Sequence, residues 1–151
     1  MTRKIDRGDR VPEREEIKAF VQDVLGCGCA EEVFQVIELR RETMEGKPYD
    51  RINIGNRLLV YVFHTDDARW AEVTLARLVR AGKEERDALG FNRFRLVLAT
   101  GRPAAMGAAT KAFGRLPPVD DRTYLHVVRG QQITFGTRPA SGKRGTAGGK
   151  G

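Results

Sequence analysis

The sequence predicts a single compact α/β domain in which helices cover a mixed β-sheet. Strongly β-prone runs alternate with segments of helical periodicity, and a Gly-Asn turn joins two of the strands into a hairpin. The second half of the chain reads as strand, helix, strand, helix, strand. Strands joined through helices pair in parallel and a hairpin pairs its strands in antiparallel, so both kinds of pairing are expected in one sheet.

The first half of the chain begins with an amphipathic helix after Pro12. Its apolar residues recur at the spacing of one helical face, namely Ile17, Phe20, Val21, Val24 and Leu25. Gly26 supplies the signal that ends this helix, and a short helical turn is expected at Glu31 and Glu32. Residues 35–43 then read as the first strand.

The remaining elements are a hairpin and two helices that alternate with strands. They follow in this order: hairpin 49–64 turning at Gly55-Asn56, a helix from Asp66 or Asp67 to Gly82 or Gly90, strand 94–99, helix 103–113, strand 124–128 and an edge addition at 133–135. The helices are expected to cover the sheet that the strands form.

Length and composition indicate one domain with loose, charged ends. A chain of 151 residues can bury a core without disulfide bonds. We predict a charged arm at 1–13, the domain at 14–136 and a flexible, Gly-rich tail at 137–151, which holds four basic residues and no acidic one. No run reaches the ~20 apolar residues of a membrane helix, and no secretory signal is present, so we expect a cytoplasmic protein without a membrane partner.

The motif Cys27-Gly28-Cys29 contains the only two cysteines of the chain. In a reducing compartment, two closely spaced thiols favour metal binding or redox chemistry over a structural bridge. A zinc site needs four donors, and the pair supplies two of them. His64 is the best additional candidate, and His126 or a second chain in a homodimer can supply the rest. The sequence therefore predicts a thiol protein that binds metal, with zinc as the suggested ion.

The same two thiols support two other interpretations. A disulfide closed across a single residue is strained and easily reduced, which suits an oxidant or a redox sensor. A small, reduced pair can also simply end the helix, with Gly28 providing the turn. No residue pattern identifies a catalytic group.

A different class of function is non-enzymatic binding of an anionic partner. On a strand, Arg93 and Arg95 point to one face, where two guanidinium groups can hold a phosphate or a carboxylate. Arg102 follows the same strand directly before a helix N-terminus, which is a natural anion site. The basic tail adds nucleic acid to the expected partners. In the alternative interpretation, Arg93 and Arg95 pair with carboxylates of the preceding helix, namely Glu84, Glu85 or Asp87.

Three segments of the chain resemble a family of small, functionally uncharacterised prokaryotic proteins. They are LGCGC at 25–29, INIGNRLL at 52–59 and GFNRFRLVL at 90–98. The resemblance covers residues 14–128 and excludes the tail. It implies a shared organisation and carries over no substrate, cofactor or catalytic residue.

Overall fold

The computed structural model describes residues 14–26, 31–117 and 120–133. The arm 1–13, the motif Cys27-Gly28-Cys29 and the tail 137–151 lie outside the described residues. The same holds for Thr134 and Phe135 of the expected edge addition, so the predictions on these segments stay predictions.

The described chain contains three α-helices and five strands, as the predicted α/β class requires. They are α1 (Arg14–Ala19), β1 (Ile37–Met44), β2 (Lys47–Ile54), β3 (Leu58–His64), α2 (Ala68–Leu89), β4 (Arg93–Thr100), α3 (Pro103–Gly114) and β5 (Thr123–Arg129). A π-helical turn, Phe20–Val24, extends α1, and short 3-10 helices lie at Glu31–Gln35 and Gly130–Gln132. None of the described helices has the length and apolar character needed to cross a membrane.

The five strands form one mixed sheet in which the spatial order follows the chain, β1-β2-β3-β4-β5. Strand β2 is antiparallel to its neighbours β1 and β3, and β3, β4 and β5 are parallel to one another. This confirms the predicted mixed sheet. The predicted turn at Gly55-Asn56 joins β2 to β3, and both residues have positive φ. The hairpin between β1 and β2 turns at Glu45-Gly46, where φ is 53° and 79°. Gly46, Gly55 and Asn56 enter the left-handed region at little steric cost, whereas Glu45 enters it with a full side chain.

The two faces of the sheet are covered by different helices. Helices α2 and α3 pack together on one face, through buried residues that include Leu75, Leu78, Ala109 and Ala112. The segment of α1 and its π-helical turn covers the other face with Ile17, Phe20, Val21 and Leu25. Because both crossover helices lie on the same face, the parallel half of the sheet has no switch point between faces, where open α/β sheets usually bind ligands.

Helix α2 extends to Gly90, the later of the two predicted ends. The side chain of Asp67 caps its start by accepting the Trp70 N–H at 3.0 Å. Gly90 ends it with φ of 75°. Gly82 lies inside the helix, where the Phe94 ring packs against it so closely that a Cβ at Gly82 would lie 2.0 Å from Phe94 Cζ.

Candidate functional site

The guanidinium group of Arg95 lies between β4, β5 and the end of the first helical segment. Its Nη1 donates to the Leu25 carbonyl oxygen at 3.1 Å and lies 2.8 Å from His126 Nε2. Its Cζ is 4.5 Å from the centre of the Tyr124 ring. Alternation along β4 places Arg95 on the face covered by α1, beside Val97, which lies two residues further along the strand.

The positive charge of Arg95 is not neutralised by any carboxylate of the described segments within ion-pair distance. Its Nε is buried and makes no hydrogen bond to a described residue. Burial lowers the pKa of Arg95, Tyr124 raises it, and the charge of Arg93 lowers it further. Arg93 lies two residues away on the same face, as predicted, and its side chain is exposed. The site is therefore a pair of cations with an unused donor.

His126 is uncharged at neutral pH in this environment. Burial, with the added effect of the Arg95 charge, lowers its pKa to about 4. An arginine can only donate hydrogen bonds, so His126 Nε2 must accept from Arg95 and carry its own proton on Nδ1. The imidazole thus orients the guanidinium without cancelling its charge.

The predicted pairing of Arg93 and Arg95 with carboxylates of α2 is wrong. Glu85 turns to the opposite face of the sheet, where it lies 2.7 Å from Arg51 Nη2 and accepts a hydrogen bond from Tyr61. Asp87 pairs with Arg86 at 2.9 Å. Glu85 and Asp87 are thus committed elsewhere, and among the described residues Glu84 forms no ion pair with Arg93 or Arg95, so the cationic site keeps its charge.

The third predicted anion-binding residue, Arg102, lies at the other end of β4. It lines a cleft of about 550 Å³ together with Asp66 and Asp67. Asp66 already accepts the Gly101 N–H at 2.8 Å, in addition to the Thr100 hydroxyl at 2.8 Å. The structure therefore separates Arg102 from Arg93 and Arg95, and a carboxylate of the chain itself, Asp66, lies beside Arg102 in this cleft.

The two predicted histidines lie at different places along the sheet. His64 ends β3 opposite Ala99 of β4, beyond the strand region that contains Arg95. His126 lies 2.8 Å from Arg95 Nη1, which also donates to the carbonyl of Leu25, two residues before Cys27. Among the residues that the structure describes, no group of three or more His, Cys, Asp and Glu side chains is arranged to hold a metal ion. The metal assignment to Cys27, Cys29 and His64 thus stays a prediction.

Sequence reasoning identified Arg93 and Arg95 but missed the roles of Tyr124 and His126. The register of β4 on β5 brings them together, because Arg95 is paired with Tyr124 and Val97 with His126. The sequence signal was the placement of Tyr124 and His126 at alternate positions of one strand, which puts both on the same face. The strand pattern alone does not show that this is the face on which Arg95 lies, because that depends on the tertiary structure.

Comparison of the chain with protein-family models, with curated proteins and with solved structures gave no significant match. The resemblance of the segments at 25–29, 52–59 and 90–98 to a prokaryotic family stays a prediction. A function for this chain therefore has to be sought in the chemistry of its own residues.

Proposed function

We propose that the protein is a binding module for phosphate-bearing ligands and that Arg93 and Arg95 form the binding site. The observation that supports this function most directly is the buried Nε–H of Arg95, which no described residue accepts. A buried donor without an acceptor is costly, and an anionic oxygen would satisfy it.

The surroundings of Arg95 favour an oxyanion over other ligands. The guanidinium is held in place by the Leu25 carbonyl and the Tyr124 ring, so little conformational freedom is lost when a ligand binds. Its charge is partly buried, which strengthens attraction to an anion. Arg93 lies close enough to affect the pKa of Arg95 and provides a second cation. Two guanidinium groups match the geometry of a phosphate.

Phosphate at this site has two sources, the free ion and the backbone of a nucleic acid. Titration of the full chain with inorganic phosphate and with a short single-stranded oligonucleotide, followed by NMR or calorimetry, distinguishes them. We expect Arg95→Gln to weaken phosphate binding by roughly 10-fold, the effect of losing one charge-assisted hydrogen bond. Arg95→Lys keeps the positive charge but loses the planar guanidinium with its paired N–H donors. Its phosphate affinity should therefore lie between that of Arg95→Gln and that of the parent.

Arg80→Gln is the matched control because it removes one exposed arginine from α2. Removal of residues 137–151 separates the contribution of the tail from that of the site. Loss of oligonucleotide binding on truncation, with phosphate binding unchanged, would assign nucleic acid to the tail. Equal phosphate affinity of the parent and of Arg95→Gln would rule out the site.

Thiol chemistry at Cys27 and Cys29 is a second proposal, supported by the Arg95–Leu25 contact at 3.1 Å. Leu25 precedes Cys27 by two residues, and a cation without a carboxylate partner lowers the pKa of a nearby thiol. On this proposal the cation also repels a metal ion, which supports the redox form ahead of the zinc form. Zinc binding by Cys27, Cys29 and His64 is supported only by the residue types.

The thiol proposal is tested by the rate of alkylation as a function of pH. We expect Cys27 and Cys29 to react with a thiol pKa below the usual ~8.5, and Arg95→Gln to move it upward. Metal analysis after reconstitution with zinc, with Cys27→Ser/Cys29→Ser as the control, tests the metal form. Ordinary thiol pKa values and no retained zinc would together leave these residues without a chemical role.

A further inference from the structure

The two edge strands of the sheet differ strongly in charge. In β1, four of the eight residues are charged, namely Glu38, Arg40, Arg41 and Glu42. In β5, the five central residues, 124–128, carry no charge at neutral pH, because His126 is neutral there. Charged side chains on an edge strand discourage pairing with another chain, and an uncharged edge permits it. Of the two edge strands in the part of the chain that the structure describes, β1 alone carries this protection.

The backbone of β5 offers donors and acceptors on its outer side. The Phe94 N–H donates to the Arg122 carbonyl at 2.9 Å, which fixes the alternation of the ladder. Residues 124, 126 and 128 consequently direct their backbone groups towards β4, and Leu125 and Val127 direct theirs outward. No strand of the described residues pairs with this side. The outward N–H of Arg129 is taken by the Gln132 side chain at 2.9 Å, which ends the open stretch.

We propose that β5 pairs in antiparallel with β5 of a second copy of this chain, so that a weak homodimer shares one continuous sheet. The open stretch is short, and an interface of this size belongs to the weak, concentration-dependent class.

A second copy fits this edge because β5 is complementary to itself. Antiparallel pairing about His126 sets Leu125 of one chain opposite the partner's Val127, with both backbone hydrogen bonds formed. On the other face it sets Tyr124 opposite the partner's Val128. The central pair is His126 opposite the partner's His126, both neutral at neutral pH, and the flanking pairs are apolar or aromatic, so no like charges are opposed. The same operation on β1, about Arg40, would set Arg40 opposite the partner's Arg40 and Glu38 opposite the partner's Glu42, which is repulsive.

The direct test is sedimentation of the full chain over a wide concentration range, combined with amide hydrogen exchange. We expect the average mass to rise from one copy towards two as the concentration increases. The amides of Leu125 and Val127 should become protected over the same range. Those of Tyr124 and His126 face β4 and should be protected throughout. A single copy at every concentration, or protection of Leu125 and Val127 that does not follow concentration, would overturn the proposal.

Proline at position 127 separates the dimer from the fold. Val127→Pro removes an outward N–H that the monomer does not use, and we expect the dimer dissociation constant to rise by ~10-fold or more. The matched control is Thr43→Pro, because the Gly55 N–H donates to the Val36 carbonyl and leaves the Thr43 N–H on the outer side of β1. This control should dimerise like the parent.

If circular dichroism shows that Val127→Pro is unfolded, a second variant tests the same pairing. Val127→Lys places a flexible cation at a half-buried position, where its ammonium group can reach solvent in the monomer. It should fold and remain monomeric. Dimerisation of this variant at the parent's affinity would refute pairing through β5. Capture of an extended peptide by a chain that stays monomeric would show a different occupant and would equally refute the proposal.

Discussion

Arg86 and Asp120 form a two-pronged ion pair that joins the end of α2 to the residues preceding β5. Nη1 and Nη2 of Arg86 lie 3.1 Å and 2.6 Å from Oδ1 and Oδ2 of Asp120. The Arg86 side chain is only 1% exposed. Its hydrogen bonds hold the pKa of Asp120 far below the usual range, with help from Thr123 and the Arg122 backbone.

Removing this carboxylate should destabilise the fold severely. Asp120→Ala leaves Arg86 buried with only the exposed Asp87 as a carboxylate partner, and we expect a loss of ~3–5 kcal/mol in the free energy of unfolding. Urea denaturation of the parent and of Asp120→Ala measures this difference in the free energy of unfolding. Asp121→Ala is the control, since Asp121 is exposed and contributes its backbone carbonyl to Tyr124. Similar unfolding of the two variants would mean that the ion pair adds little to stability.

A methyl group at Gly82 should be incompatible with the packing of α2 on the sheet. The added Cβ would lie between 2.0 and 2.4 Å from three atoms of the Phe94 ring, which is fully buried. We expect Gly82→Ala to cost ~1–3 kcal/mol despite the higher helix propensity of alanine. Gly107→Ala in α3 meets no atom within 4 Å and should stabilise instead. The melting temperatures of the two variants compare the steric clash at position 82 with the gain in helix propensity at position 107. A Gly82→Ala variant that melts above the parent would contradict the predicted clash.

Acidification should destabilise the protein through His126 before the carboxylates titrate. The pKa of His126 is about 4 in the fold and 6.5 in the unfolded chain, so the unfolded chain binds more protons between these values. The stability is fully present above pH ~6.5 and falls as the pH drops towards 4. We expect a loss of roughly 2 kcal/mol by about pH 5.

The pH dependence of the His126→Gln variant isolates this effect. Glutamine can still accept a hydrogen bond from Arg95 but does not titrate. The difference in unfolding free energy between parent and variant should therefore change between about pH 4 and pH 6.5 and be constant above that range. Parallel curves for the two proteins would exclude His126 as the group responsible.

The carboxylate of Asp66 links two loops that are distant in the chain. It accepts hydrogen bonds from the Thr100 hydroxyl and the Gly101 N–H, both at 2.8 Å. We expect Asp66→Ala to cost about 1–3 kcal/mol in unfolding free energy, because both donors lose a charged acceptor. The comparison is Glu72→Ala, which removes an exposed ion pair with Arg115 at 3.5 Å and should cost less than ~1 kcal/mol. Equal costs would show that solvent replaces Asp66 fully.

Local patterns predicted the elements well because each carries its own signal. The Gly55-Asn56 turn, the apolar spacing of the first helix and the proline at the start of α3 are properties of short segments. The sequence alone does not decide whether α2 ends at Gly82 or at Gly90. A glycine within a helix is explained only by what packs on it, here Phe94 of a later strand.

The candidate site was predicted only in part for the same reason. Alternation along a strand placed Arg93 and Arg95 on one face, which the structure confirms. Their neighbours depend on strand register and on the docking of a helix far away in the chain. The contact between Arg95 and Leu25 spans 70 positions, and no local pattern contains it. The expected partners on α2 were close in sequence but point to the opposite face.

The five strands lie side by side in the sheet in the same order in which the ribosome makes them. Each strand pairs with the one made just before it, so the sheet can grow one strand at a time as the chain emerges. The α1 segment is made before the strands, yet its carbonyl at Leu25 is held by Arg95, which is made 70 residues later. The Leu25 hydrogen bond therefore forms late, after β4 has been translated. The apolar side chains of the segment share their cluster with residues of β2 and β3, so their burial can begin before β4 arrives.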